Sequence, residues 1–276
     1  MAYAFVSTVY GETLAKSIAD KLEYVPTANA SRDPFAAIYN LVTPSNTPSD
    51  ILPPAPKGFK SEWTVVVYPG FNVLDVVSVT TFTELIGLRP EFPVNVSVAA
   101  PRLDVIASGS LSPSGGQHLM PTHSFDESPK DVDVLIVPGL SNVGPFPYQD
   151  EITAYIAKTY PHVKHIISIG TGSILLAAAG VLNGRKATTS KADFDTATAL
   201  FRDDEKNITW TTGRWVRDGN VWTASGTASG LDAANALCTE MFGAAVAQKA
   251  SVMMEYVPRT KAWEDPFAEV WGVKAA

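Results

Sequence analysis

The stretch HIISIGTGSILLAAAG, from His165 to Gly180, reads as a buried strand, an abrupt turn and a helix. Such a turn lifts one residue into a pocket, where several hydrolase folds seat a nucleophile. Here that residue is Gly170, which brings no side-chain chemistry. What remains is main chain, because N–H groups at a helix start carry partial positive charge and bind anions. Those after Gly170, with a contribution from the Gly139–Leu140 turn in VPGLSNVGPF, can form an oxyanion hole for an enolate or another developing oxyanion. A third turn, YPGFNVLDV, supplies the carboxyl group of Asp75. Partial burial would bring its pKa toward neutrality, as proton-transfer catalysis prefers. Asp75 can equally be a helix-start carboxylate that satisfies backbone N–H groups. Thr171 can orient substrate through its hydroxyl, or simply cap the helix that follows it.

Ser190 and Lys191, in ATTSKADFD, are candidates for holding an anionic group; a solvated turn is the alternative. Asp193 is expected to cap the next helix. His118, His123, His162 and His165 fall at no metal-ligand spacing, and His162 and His165 are expected to face solvent at a strand start. No metal and no cofactor are expected. Cys238, in GLDAANALCTEMFG, has no partner for a disulfide and reads as a buried structural thiol. Trp210, Trp215 and Trp222 are expected in the core, apolar pocket walls being the alternative, and SPSGGQ is a turn without a phosphate-site lysine.

The elements that must position these groups alternate. From Trp63 onward, WTVVVY, VNVSVAA, VDVLIVPG, HIISIG, KATT and NVWTAS read as strands separated by helical stretches, including one that ends near Gly87. Short apolar strands joined by helices imply a mostly parallel sheet covered on both faces, an α/β fold whose ligands sit beyond the strands' carboxyl ends. The three turns converge there.

The chain also repeats itself. EYVPTANASRDPFA (residues 23–36) aligns without gaps on EYVPRTKAWEDPFA (residues 255–268), nine of fourteen positions being identical. The same offset of 232 pairs Gly11 with Gly243 and Ala15 with Ala247. Three parts follow: a helical extension at residues 1–41 that duplicates residues 233–273, a Pro-rich linker at 42–62, and an α/β domain at 63–276. The extension is expected to add a helix to the surface, to dock on a partner subunit or to cover the pocket mouth.

Bulk properties narrow the partners. With 276 residues the chain can bury a substantial core. A formal charge of −7 argues against nucleic acid or an anionic membrane as a general partner. The N-terminus lacks the basic and cleavage features of a signal peptide, and no apolar run approaches the roughly 20 residues of a membrane span. A cytoplasmic protein is expected.

VVVYPGFNVLDV, DVLIVPG, IGTGSILLAAAGVLNGRKATTSKADFD and VWTASGTASGLDAANAL resemble the ThiJ/PfpI superfamily, in the isocyanide-hydratase-like branch with its fungal-type relatives. The resemblance covers about residues 63–273. It implies a flavodoxin-like, class I glutamine amidotransferase-like sandwich and a homodimer. In that family a cysteine nucleophile stands on the elbow in a Cys-Thr-Gly pattern, which falls here on Gly170-Thr171-Gly172. The branch's acidic residue after the first strand matches Asp75; Ser78-Val79 replaces its next Gly-Pro, and His123 lies near its pocket. Some relatives carry a histidine where Ser190 and Lys191 stand. A cysteine mechanism is therefore not expected, since covalent catalysis needs an activated nucleophile beside a base. The reading that results is a cofactor-free lyase, isomerase, cyclase, dehydratase or hydratase acting on a small molecule, a setting in specialised metabolism being plausible. The alternatives are a pseudoenzyme that binds a metabolite or a protein partner, and a purely interaction protein. Removing residues 1–41 is expected to weaken the homodimer or expose the pocket.

Overall fold

The computed structural model describes residues 2–26, 35, 55, 57–88, 90–109, 116–141, 143–145, 147–202 and 205–274. Most of the Pro-rich linker, most of the first Asp-Pro-Phe-Ala segment and the start of the SPSGGQ turn lie outside these residues.

In chain order the elements are α1 (Ala2–Tyr10), α2 (Glu12–Lys21), β1 (Ser61–Val66), α3 (Val73–Gly87), β2 (Val94–Ala100), β3 (Ile106–Ala107), β4 (His118–Leu119), β5 (His123–Ser124), β6 (Val134–Val137), α4 (Gln149–Thr159), β7 (His165–Ile169), α5 (Gly172–Ala178), β8 (Lys186–Ala187), α6 (Phe194–Ala199), β9 (Thr209–Trp210), β10 (Trp215–Asp218), β11 (Val221–Ala224), α7 (Thr227–Phe242), α8 (Ala244–Met253) and α9 (Pro266–Val270). Seven strands form one sheet in the order β10-β11-β7-β6-β1-β2-β5. All neighbours are parallel except the antiparallel pair β10–β11. This is the mostly parallel α/β sandwich of the flavodoxin-like type. Strand β10 was not legible in WVRDGN, because its four residues alternate only once before the Gly219 turn.

The central strand β6 (VLIV) is apolar along its whole length with every residue buried, as burial on both faces demands. Strand β1 sits between β2 and β6, so the chain leaves it in one direction through α3 and later departs in the other through α4. With right-handed crossovers these two helices cover opposite faces. Helices α7 and α8 join α3, while α5 joins α4. The point where strand order reverses leaves a crevice at the carboxyl ends of β1 and β6.

The repeat is visible in the backbone. Gly11 (φ 95°, ψ 153°) breaks α1 from α2 as Gly243 (φ 89°, ψ 155°) breaks α7 from α8. Leu22 and Met254 end their helices at the same dihedrals, and Glu23 and Glu255 then turn left-handed at φ 53° and 51°. The two hairpins share a shape but not an environment. Leu237 and Phe242 of the C-terminal hairpin lie in the core, whereas their counterparts Phe5 and Tyr10 are exposed.

Candidate active site

Asp75 lies in the first turn of α3, which Asn72 caps by accepting the Leu74 N–H at 3.1 Å. The capping role that competed for Asp75 is therefore filled by Asn72. Asp75 instead turns inward, is only 2% exposed, and accepts the Gly139 N–H at 2.9 Å and the Thr227 hydroxyl at 2.6 Å. Burial pushes its pKa up to about 6, and the two hydrogen bonds hold it below where burial alone would carry it.

The elbow follows β7. Gly170 has φ +54°, the left-handed conformation that glycine adopts without strain. A Cβ there would meet only the Ser225 carbonyl at 3.8 Å, so the space above it is open. Gly172 is different: a Cβ would lie 2.5 Å from the carbonyls of Val137 and Pro138, so glycine there lets α5 approach the end of β6. The Thr171 hydroxyl accepts the Leu140 N–H at 2.7 Å and donates to the Leu140 carbonyl at 3.0 Å, pinning the two turns together.

These bonds correct the expected oxyanion hole. The Gly139 N–H is committed to Asp75, the Leu140 N–H to Thr171 Oγ1, and the Gly170 N–H to the Ala224 carbonyl at 2.9 Å. Among the described residues no hydrogen bond engages the Thr171 N–H or the Gly172 N–H, which leaves these two amides at the start of α5 uncommitted. Thr171 holds a turn in place through its side chain.

Other candidates separate. Ser190 lines the same cavity and donates to Asp193 at 2.9 Å. Asp193 stands at the start of α6 without a side-chain cap bond; its carboxylate is taken by Ser190 and by Lys21 at 3.1 Å. Lys191 is neither a solvated turn residue nor a cavity ligand. It is 2% exposed, donates to Thr188 Oγ1 and the Gly213 carbonyl, and sits 3.3 Å from Asp265. The aliphatic stem of lysine and a buried carboxylate partner make that possible, and a single sequence does not reveal the partner. His123 lies on the edge strand β5, its Nδ1 beside Thr122 Oγ1 at 2.8 Å, away from the cavity. Ser78 is one turn beyond Asp75 on α3; its buried hydroxyl does not line the cavity. His165 is half-buried against Trp222 rather than solvent-facing, and burial lowers its pKa. Cys238 is fully buried, and burial pushes its thiol up to about 12. The three tryptophans are core residues.

Sequence reading missed Ser225, Gly226 and Thr227, which close the cavity from the β11–α7 junction. Their signal was the polar run ASGT at the carboxyl end of a strand. Lys21 and Leu22 form the outer wall; they belong to the extension, for which a place over the pocket mouth is one of the expectations. The resulting cavity is about 80 Å³. A wider cleft of about 520 Å³ beside Phe125, Tyr155 and Lys158 contains none of the expected groups. Among the described residues no group of three His, Cys, Asp or Glu side chains is placed to hold a metal ion. Nor is any helix among them long and apolar enough to cross a membrane.

A mostly parallel sheet with an acidic residue after β1, a glycine elbow after β7 and a polar turn after β11 makes this an α/β protein with its candidate site at the carboxyl ends of the strands. The family model for DJ-1/PfpI matches residues 67–240, and the chain belongs to that family. It is 35% identical over 148 residues to the isonitrile hydratase of Pseudomonas putida, covering 54% of this chain and 62% of the hydratase. It is 34% identical over 105 residues to the deglycase TK1284 of Thermococcus kodakarensis, covering 37% of this chain and 58% of the deglycase. The chain thus spans less than two thirds of the length of these curated relatives. A crystal structure of a ThiJ/PfpI family protein from Pseudomonas syringae superposes with a TM-score of 0.62 at 25% identity, covering 85% of this chain and 83% of that one. DJ-1beta of Drosophila melanogaster shares the fold, with a TM-score of 0.56 at 16% identity over 72% of this chain and all of its own length.

Proposed function

We propose that this protein is a small-molecule enzyme of the DJ-1/PfpI family that works by proton transfer without a cysteine nucleophile. The observation that carries the reading is a fully buried carboxyl group with a pKa of about 6, placed beside an elbow whose seat, Gly170, is empty of side chain. Near neutral pH Asp75 is mostly ionised and can accept a proton, yet its pKa is close enough to the operating range to return it. Gly139 and Thr227 hold the carboxylate in one orientation. The Thr171 N–H faces the oxygen on which charge would develop. Isomerisation, cyclisation, dehydration or hydration all fit one carboxyl group and one oxyanion donor. An isonitrile hydratase and a deglycase among the relatives support a small organic substrate. A homodimer belongs to the same reading, and sedimentation of the intact chain reports it.

The experiment is a panel of small isonitriles, aldehydes and enolisable carbonyl compounds, read by thermal shift and by product formation. Conversion by the native protein is expected, with a loss of at least ~100-fold in Asp75→Asn. Full activity in that variant would refute the role of Asp75. The small cavity and the committed amides favour a second reading, a pseudoenzyme that binds a metabolite or partner. A thermal shift with no conversion at any pH would select it.

A further inference from the structure

A cavity of about 80 Å³ is far below the ~300–1,000 Å³ of ordinary small-molecule pockets, so a substrate of ordinary size fits only if a wall moves. Among the described residues, the end of α2 is a wall held to the body by few ties. Helix α1 buries no residue, and α2 buries only Ala15 and Ala19. Outward-facing ties are slight: Lys21 to Asp193, largely solvated; the Ala228 N–H to the Leu22 carbonyl at 3.3 Å; and Trp271 Nε1 to the Asp20 carbonyl at 3.5 Å. Elements with few buried contacts are the ones that open locally.

One tie is of another kind. Glu23, in the left-handed residue after α2, is 3% exposed, while its counterpart Glu255, at the same dihedral in the second copy, is exposed. The hook itself therefore does not require burial. Glu23 Oε2 lies 2.5 Å from Ser225 Oγ and 3.2 Å from Ser229 Oγ, and Gly226 leaves room for it, since a Cβ there would sit 2.8 Å from Glu23 Cδ. The charged groups around it are Asp265 at the start of α9, Lys191 before α6, Arg214 before β10 and, behind Arg214, Asp232 on α7. Lys191 pairs with Asp265 at 3.3 Å and Arg214 with Asp232 at 2.6 Å, so both cations are already matched. Among the described residues Glu23 is the surplus acid. The single Ser225 proton is also sought by the Arg214 carbonyl, Asp265 and Ser229, within 3.0–3.2 Å, and a proton on Glu23 would supply the missing donor.

We infer that the α2 end is a gate over the Asp75 cavity and that Glu23 is its latch, seated when neutral and expelled when charged. Burial and Asp265 raise the Glu23 pKa in the closed state, and Lys191, Ser225 and Arg214 only partly offset them. A group whose pKa is raised on closing stabilises the closed form fully below its open-state pKa and loses that contribution as pH rises through the closed-state value. The gate thus closes in acid and opens as pH rises, the direction in which Asp75 also ionises. The consequence for catalysis rests on the function proposed above; the latch itself is read without turnover.

Hydrogen exchange of the full-length protein, corrected for intrinsic rates, tests it at about pH 5 and about pH 8. Protection of residues 15–24 is expected to fall at least ~tenfold on going to the higher pH, while β1 and β6 stay protected. Glu23→Gln, neutral at both pH values, should keep its protection; Glu23→Ala should lack it at both. A pH-independent wild type, a Glu23→Gln variant that follows the wild-type profile, or a Glu23→Ala variant that remains protected would each overturn the latch. β1 and β6 protection reports that each variant is folded. Absence of turnover in every form would count against the proposed function alone.

Discussion

At the elbow, the surroundings of Gly170 say what a side chain there would meet. The left-handed turn persists with no Cβ, and a side chain there would project into open space. Gly170→Cys is expected to fold, with a loss of about 1–2 kcal/mol from the left-handed strain on a non-glycine residue. The wild type should show no thiol reactive in the folded state, because Cys238 is fully buried with its pKa pushed up to about 12. The variant should show one, read by a chromogenic disulfide reagent at about pH 8, where the gate opens. A silent thiol in folded Gly170→Cys would mean that the elbow does not open to solvent. Asp75 was legible as a candidate because it follows a strand by a short turn. Its bonds to Gly139 and Thr227 were not, because they join groups 64 and 152 residues apart.

Among the elements, the α1–α2 hairpin and the α7–α8 hairpin show how one sequence pattern serves two environments. Both turn at a glycine and end in a left-handed glutamate. Only the second packs its apolar face on α3; the first brings its glutamate to the β11–α7 junction. Gly226 is the seat for that glutamate, and its extended backbone (φ −162°) accepts any residue. Gly226→Ala should therefore push Glu23 out by contact, without changing a charge. Its expected mark is loss of exchange protection over residues 15–24 at both acidic and neutral pH, with the sheet unaffected. Retained protection would show that Glu23 is not seated against this residue. The helix and strand order was legible from periodicity, because apolar strands and amphipathic helices obey local spacing rules. Lys191 was misjudged for the opposite reason: a lysine in a Ser-Thr-rich turn reads as solvated until Asp265, 74 residues away in sequence, is brought beside it.

At the scale of the molecule, burying Asp75 has a thermodynamic consequence. Its pKa rises from 3.8 to about 6 on folding. Relative to a neutral isostere the wild type is therefore unpenalised below about pH 4 and carries a cost that grows to about 3 kcal/mol above about pH 7. Asp75→Asn should be more stable than the wild type at about pH 8, with the difference vanishing by about pH 4, as measured by denaturant unfolding. A functional residue held against its own stability shows this signature. Equal stability at both pH values would mean that the carboxyl group is better solvated than its burial indicates.

Local rules were enough for the alternating fold, the elbow and the acid after the first strand, because each rests on spacing within a few turns of chain. Which amides stay free, which lysine is buried and which wall closes the cavity depend on contacts between segments as distant as Glu23 and Ser225. Only the folded sheet brings those partners within hydrogen-bond range, and low-dielectric burial then turns ordinary carboxyl groups into ones with displaced pKa values.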